Sequence, residues 1–345
     1  MSISQQRLPT LDALRGIAVL GVCWFHFTNG EPTFLPDGFL KSSGAYGWLG
    51  VEIFFVISGF IIPWSLRRGS YQVADYGRFL LKRMIRLEPP YLVGIGVVLA
   101  VNFIASEFLE YRGLPQFSFV QLVLHLAYLN VFFGYPWIDP PYWTLAIEFQ
   151  YYLLMGLVFP AIAHRSVVVR ASTFGSLALL AYSVSERQFV FHWLFLFMLG
   201  VAAFQLRADL IKRRQYYLWA GLLGAGAWHL QGHLFAIVGV STSLLLGLCD
   251  ANIKRPFLWL GRISYSLYLL HGPVGMSIIA LGQTSAPANS GGQAGCGTLA
   301  AALVASVAAA WLLHKFVECP ARQWSANICY VKQTASREVD SKTIR

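Results

Sequence analysis

His26 lies within the first apolar run of the chain, LDALRGIAVLGVCWFHFT over residues 11–28, eleven positions beyond Arg15. An ionisable group in hydrocarbon costs about 3 kcal/mol, which marks it as functional. An imidazole at that depth can take a proton from a hydroxyl or carry an acyl group itself. A neighbouring carboxylate would hold its tautomer and stabilise the imidazolium. Further polar groups sit in later apolar runs: Glu52 and Ser58 in GVEIFFVISGFII, Glu148 in YWTLAIEFQYYLL and His271 in ISYSLYLLHGPV. Arg83 and Arg86, spaced RxxR in RFLLKRMIRLEPPY, fall on one helical face and suit a phosphate-rich ligand through fork-shaped hydrogen bonds. Together these parts describe acyl transfer from coenzyme A to an alcohol.

Helical geometry brings them into two layers. The spacing from Arg15 to His26 amounts to about 20° of net rotation and roughly 16 Å of rise, so one helix face carries the arginine near the inner surface and the histidine near mid-membrane. Asp12, one turn before Arg15, can orient it. Counted from helix entry at the outer face, Glu52, Ser58 and Glu148 lie at depths of roughly 8, 16 and 8 Å, and His271 rises roughly 18 Å from the inner face. Histidines and glutamates therefore share the middle to outer layer, while the arginines crowd the inner one.

The elements that must hold these groups are transmembrane helices. Of 345 residues, 56% are hydrophobic and 12% charged, and the mean hydropathy is +0.55. Those values exclude a soluble globular domain and a disordered chain. Apolar windows long enough to cross roughly 30 Å recur at 11–28, 47–66, 89–108, 143–163, 167–184, 189–206, 215–230, 233–249, 259–281 and 297–317. The expected fold is an all-α membrane protein, a bundle of about ten transmembrane helices with both termini cytoplasmic. Residues 119–133 are apolar but short and closed off by Gly134, Pro136, Pro140 and Pro141, which predicts an interfacial or re-entrant segment.

Charge placement supports that count, because inner loops collect Lys and Arg. With the N-terminus inside, 23 of the 26 basic residues fall in inner segments, and only Lys41, Arg112 and Arg187 do not. The net charge of +10 is thus accounted for by topology and an anionic inner leaflet, with no nucleic-acid partner implied. The five cysteines, Cys23, Cys249, Cys296, Cys319 and Cys329, show no CxxC spacing, so neither a disulfide framework nor a metal site is expected. The first apolar run carries an internal arginine and lacks an A-x-A-like exit, so it is expected to stay in the mature protein as a span. The domain reading is a cytoplasmic segment 1–10, a transmembrane catalytic domain 11–324 and a polar cytoplasmic tail 325–345, too short for a second catalytic domain.

The blocks LDALRGIAVLGVCWFHF, GVEIFFVISGFII, RFLLKRMIRLEPPY, YWTLAIEFQYYLL, ISYSLYLLHGPV and FVECPARQW, in this order across residues 11–324, resemble the acyltransferase-3 family of integral-membrane O-acyltransferases. The family's arginine, ten residues, histidine element matches Arg15 and His26, its RxxR matches Arg83 and Arg86, and its tryptophan-to-glutamate element matches Trp143 and Glu148. Thr144 stands where the family more often has serine, which keeps a hydroxyl. No C-terminal SGNH-type domain is expected, which favours the single-domain subgroup. The resemblance implies transfer of an acyl group, most often acetyl, from cytoplasmic acyl-CoA as co-substrate to a sugar hydroxyl of a surface glycan or its lipid-linked precursor, at a bacterial inner membrane. It casts His26 as base or acyl carrier, Glu148 or Glu52 as its partner, and Arg15, Arg83 and Arg86 as ligands of the CoA phosphates. The expected partners are the bilayer, acyl-CoA and a hydroxyl-bearing acceptor.

Each residue also has a structural reading. His26 can join helices by hydrogen bonding, and the arginines can act as topology signals. Glu52 and His271 can organise packing, as can Ser58, Ser264 and Tyr265. The many aromatics fit interfacial belts, with Trp48, Trp137, Tyr142 and Trp143 placed to stack on sugars. The rival functions are a transporter or flippase for a glycan or lipid precursor, which often shows repeated halves, and a binding or sensor protein without turnover. No internal repeat is visible.

Overall fold

The structure is a computed structural model that describes residues 8–108, 117–250, 253–285 and 291–330. Most of segment 1–10 and of the tail 325–345, and Arg112 with them, lie outside the described residues. Among the described residues the chain is helical, without a strand. In order the helices are α1 Pro9–Asn29, α2 Phe39–Gly44, α3 Gly50–Arg68, α4 Tyr76–Phe108, α5 Phe119–His125, α6 Trp143–Ile162, α7 Val167–Ser183, α8 Leu194–Arg207, α9 Arg213–Gln231, α10 His233–Leu248, α11 Arg255–Leu270, α12 Ser277–Ser285, α13 Gly291–Leu313 and α14 Cys319–Ala326. Helix occupies all or part of each of the ten expected windows. Seven helical stretches are long and apolar enough to cross a membrane: Pro9–Asn29, Phe39–Arg68, Val73–Glu107, Pro140–Ile162, Val190–Arg207, Arg255–Gln283 and Gly295–Ala326. Helices α7 and α10 are shorter apolar helices of 17 and 16 residues. Leu179, Leu218 and Val304 turn outward with more than half of their surface exposed, as a lipid-facing shell requires. The chain is an all-α, multi-pass integral membrane protein.

The segment 119–133 contains one helix of seven residues, α5, which rises only about 10 Å and cannot cross. Its His125 is buried and fixes the following loop: the ring accepts from the Ile138 N–H at 3.0 Å and lies 2.8 Å from the Gln121 carbonyl.

Two close helix crossings place the polar groups. Helix α1 packs most extensively on α11, and α3 on α8. A Cβ on Gly261 would collide with the backbone carbonyl of Asp12, and one on Gly16 would lie 3.1 Å from the carbonyl of Phe257, so α1 and α11 approach backbone to backbone. Gly59 and Gly200 do the same for α3 and α8. Small residues provide such contacts where no hydrophobic effect drives helices together. Helices α1 and α11 run in the same direction, so the crossing near Asp12 leads to His26 beside His271.

Two irregular stretches interrupt the α-helices. His271–Met276 and His314–Glu318 are π-helical and continue into α12 and α14. Such widened turns often occur at functional sites. Helix α4 contains Pro89 and Pro90, which withdraw two N–H groups from its ladder. Nearby, the Tyr265 hydroxyl donates to the Leu87 carbonyl at 2.9 Å.

Candidate active site

A cavity of about 100 Å³, room for several waters, runs between α1, α3, α4, α6 and α11. Arg15, Arg83, Arg86 and Glu318 line its inner end by the direction of their helices, and Val51, Phe54, Thr144 and Tyr268 line its outer end. Ser58, Glu148 and Tyr265 also face it. The inner end collects guanidinium groups. Arg15 Nε donates to Ser264 Oγ at 3.2 Å, and Ser264 donates to the Gly261 carbonyl at 2.9 Å. Arg83 is 6% exposed. One terminal nitrogen donates to Ser65 Oγ at 3.0 Å. The rings of Phe79 and Tyr152 flank its guanidinium at 5.4 and 5.7 Å, a favourable cation–π setting. Its Nε is buried with no partner among the described residues. A buried guanidinium with an unmet N–H is suited to accept an oxyanion, and the arginines here could hold a phosphate-bearing ligand.

The outer end is built from rings and hydroxyls. Thr144 Oγ1 lies 2.8 Å from the Tyr268 hydroxyl, and both lie 3.0 Å from the Pro141 carbonyl. Tyr268 is thereby held across the end of the cavity. Its ring centroid is 5.6 Å from that of His271. Beyond it His271 Nε2 stands 3.3 Å from His26 Nδ1, with ring centroids 4.9 Å apart.

Hydrogen bonding fixes both tautomers. His271 Nδ1 is 2.7 Å from the Tyr268 carbonyl, so it carries the proton and Nε2 accepts. His26 Nδ1 is 2.9 Å from the Val22 carbonyl, so it also carries the proton and shares it between Val22 and His271. His26 Nε2 is left with its lone pair. His271 is fully buried whereas His26 is half-buried.

The candidates divide accordingly. Arg15, Arg83, Arg86, Glu148, Ser58 and Tyr265 share the cavity wall. His26 and His271 form a pair beyond it. Among the described contacts neither glutamate reaches His26. Glu148 accepts from the Ser58 hydroxyl at 2.8 Å, while Glu52 is 3% exposed and its Oε2 has no partner among the described residues. Trp143 lies outside the cavity wall, packed on Trp193 and Phe55 with centroids 5.3 and 6.2 Å away.

Sequence reasoning missed Tyr268, Glu318 and Asp139. The first two stand in the quoted blocks ISYSLYLLHGPV and FVECPARQW, where an acid within an apolar run was the available signal for Glu318. Asp139 gave none. Its carboxylate packs so closely on Gly272, the residue after His271, that a Cβ there would lie 2.6 Å from Oδ2. Burial pushes this carboxyl up to about 7.

Fold and site define a polytopic membrane protein whose buried cavity has an arginine-lined end. The acyltransferase-3 family model, described as an acyltransferase domain, matches residues 8–315, and the chain belongs to that family. It is 28% identical over 321 residues to the O-acetyltransferase OatA of Staphylococcus aureus, covering 79% of this chain and 51% of the relative. It is 27% identical over 301 residues to a putative membrane-bound transacylase, BcsY, of Komagataeibacter xylinus, covering 78% and 73%. A peptidoglycan O-acetyltransferase OatA of Listeria monocytogenes is 32% identical over 160 residues, covering 44% and 24%. The chain thus spans about half the length of the OatA proteins of S. aureus. No solved structure matches.

Proposed function

We propose that this protein transfers an acyl group, in the first instance acetyl, from acyl-CoA on the inner side of a bacterial inner membrane to a hydroxyl of a glycan or its lipid-linked precursor. The observation that carries this reading is the arginine-lined cavity whose far end, at Tyr268, abuts the His271–His26 pair. Arg15, Arg83 and Arg86 hold the donor's phosphates through charge-assisted hydrogen bonds. That anchors the carrier and lets its pantetheine arm extend along the cavity toward His26.

His26 is half-buried and offers Nε2, so an acceptor hydroxyl arriving from the outer side gives its proton to that nitrogen as it attacks the thioester carbonyl. The imidazolium that forms donates from Nδ1 to Val22 and His271. Nε2 then returns the proton to the leaving CoA thiolate. Membership of the acyltransferase family, and relatives named for O-acetyltransferase and transacylase activity, support the donor–acceptor chemistry. Glu148 acts from the cavity wall, and among the described contacts neither it nor the buried Glu52 touches His26.

The test is incubation of the purified protein in detergent with radiolabelled acetyl-CoA and a glycan acceptor, reading CoA release and acceptor mass together. One acyl unit gained per CoA released supports the reading. Flux of glycan across a vesicle membrane without thioester cleavage replaces it with a flippase.

A further inference from the structure

On the inner side of the bundle, Cys319, His314 and Glu318 stand in line. Cys319 Sγ is 3.3 Å from His314 Nε2. His314 Nδ1 is 2.9 Å from Glu318 Oε2. That carboxylate also accepts from the Ser266 hydroxyl at 2.8 Å and has Arg322 at 4.0 Å from its other oxygen. Because Nδ1 must donate to Glu318, Nε2 carries the lone pair and accepts the thiol proton. The imidazole lies between sulfur and carboxylate, so the three form a relay rather than a cluster around a point, and no metal-holding group is found among the described residues.

The π-helical stretch His314–Glu318 makes this possible. It widens the helix so that positions five apart, 314 and 319, are brought into register, while Glu318 keeps the ordinary spacing of four. The relay belongs to the donor side of the molecule. Glu318 lines the same cavity as Arg15 and Arg86, and α14 is tied to α4 by the Ser325 hydroxyl, which donates to the Lys82 carbonyl at 2.9 Å. The thiol itself is half-buried, with the exposed Lys315 and Arg322 nearby in sequence.

We propose that Cys319 is an acyl-accepting nucleophile, activated by His314 and Glu318, that takes an acyl group from a CoA thioester as a protein thioester. His314 Nε2 removes the thiol proton, the sulfur bonds to the thioester carbonyl carbon, and the carbon–sulfur bond to CoA breaks. The CoA thiolate leaves with the proton from His314, and the imidazole is neutral again. Nucleophile, base and orienting acid occupy the roles of a catalytic triad. This rests on the reading above only for the donor being a CoA ester.

The test incubates the full-length protein in detergent with acetyl-CoA or with a small acetyl thioester, S-acetyl-N-acetylcysteamine, and maps hydroxylamine-labile acetylation by peptide mass. Exposure alone favours Cys296 and Cys329, which are exposed, so acylation of half-buried Cys319 ahead of both is the diagnostic result. Cys319→Ala removes the adduct, and His314→Gln slows it by about a hundredfold, the low end expected for loss of a positioned base. Glycan transfer is measured in parallel. Labelling of Cys319 by the small thioester but not by acetyl-CoA overturns CoA as the donor to this thiol, while glycan transfer from acetyl-CoA in the parallel assay separately tests the reading of the cavity. Labelling that follows exposure, labelling unchanged in folded His314→Gln, or none at Cys319 with either donor overturns the proposal. Should His314→Gln fail to fold, the ranking of Cys319 against Cys296 and Cys329 in the unmodified protein decides.

Discussion

The two ends of the cavity are made differently. At the inner end, long cationic side chains are steadied by single hydrogen bonds to Ser264 and Ser65, and Arg83 retains an unmet buried N–H. Beyond the outer end, His26 and His271 are each locked to a carbonyl of their own helix and then to each other. The first arrangement leaves donors to offer to a ligand. The second leaves one nitrogen, His26 Nε2, and fixes its direction. On the proposed function, binding falls to the inner end and proton transfer to the outer, and substitutions at the two ends should separate KM from kcat.

The largest effect is expected at His26. His26→Ala removes the base, and the transfer rate should fall by about 10² to 10⁴ with KM for the acyl donor unchanged, measured by labelled acetyl transfer on protein that still inserts and remains monodisperse. His271→Ala comes next. It leaves His26 with Val22 alone and opens a void between α1 and α11, so kcat should drop about tenfold to a hundredfold, the equivalent of one lost charge-assisted hydrogen bond to the imidazolium. Arg83→Ala and Arg86→Ala should act on the other variable, raising KM for acyl-CoA about tenfold each with kcat within about threefold, and the lysine variants should recover only part because they lack the fork. A donor KM that rises in His26→Ala, or a kcat that collapses in Arg83→Ala with unaltered KM, would erase the division between the two ends.

Much of this architecture could be read from the chain. The ten apolar windows each contain helix because length and hydropathy alone decide whether a stretch can satisfy its backbone in lipid. The RxxR pair was legible because spacing on one helix is a local property, and Arg15, Arg83 and Arg86 do share a wall. What was not legible is which helices touch. Among the described residues no carboxylate contacts His26, and His271 occupies the place expected for one because Gly16 and Gly261 let α1 and α11 close upon each other. Depth estimates put glutamates and histidines in one layer, yet sharing a layer is not sharing a contact. Asp139 and the Cys319–His314–Glu318 relay escaped for related reasons: one sits in a loop whose return path no periodicity encodes, and the other depends on a π-helical turn that breaks the usual spacing.

The smallest effect is expected far from the cavity, and it checks that the larger ones are specific to the site. Arg207 donates to the Leu246 and Cys249 carbonyls at 3.0 and 2.8 Å and to both oxygens of Asp250 at 2.8 and 2.9 Å. The carbonyl contacts satisfy the open end of α10, whereas Asp250 is 76% exposed. Hydrogen bonding from Arg207 holds the Asp250 carboxyl below its ordinary value of 3.8. A depressed carboxylate contributes stability above its ordinary value and loses it as pH falls through the lowered one, so the pair is fully formed at neutral pH and its loss there is the whole of its worth. Asp250→Asn should therefore change thermal stability by less than about 1 kcal/mol, as exposed pairs do. Arg207→Ala leaves the Leu246 carbonyl without this donor and the Cys249 carbonyl with the Thr10 hydroxyl alone, and should cost about 1 to 3 kcal/mol. Both should leave acyl transfer by the folded protein unaltered, since neither residue lines the cavity nor touches the His26–His271 pair. Equal melting losses for the two variants in detergent would mean that the ion pair, and not the capped helix end, carries the contact.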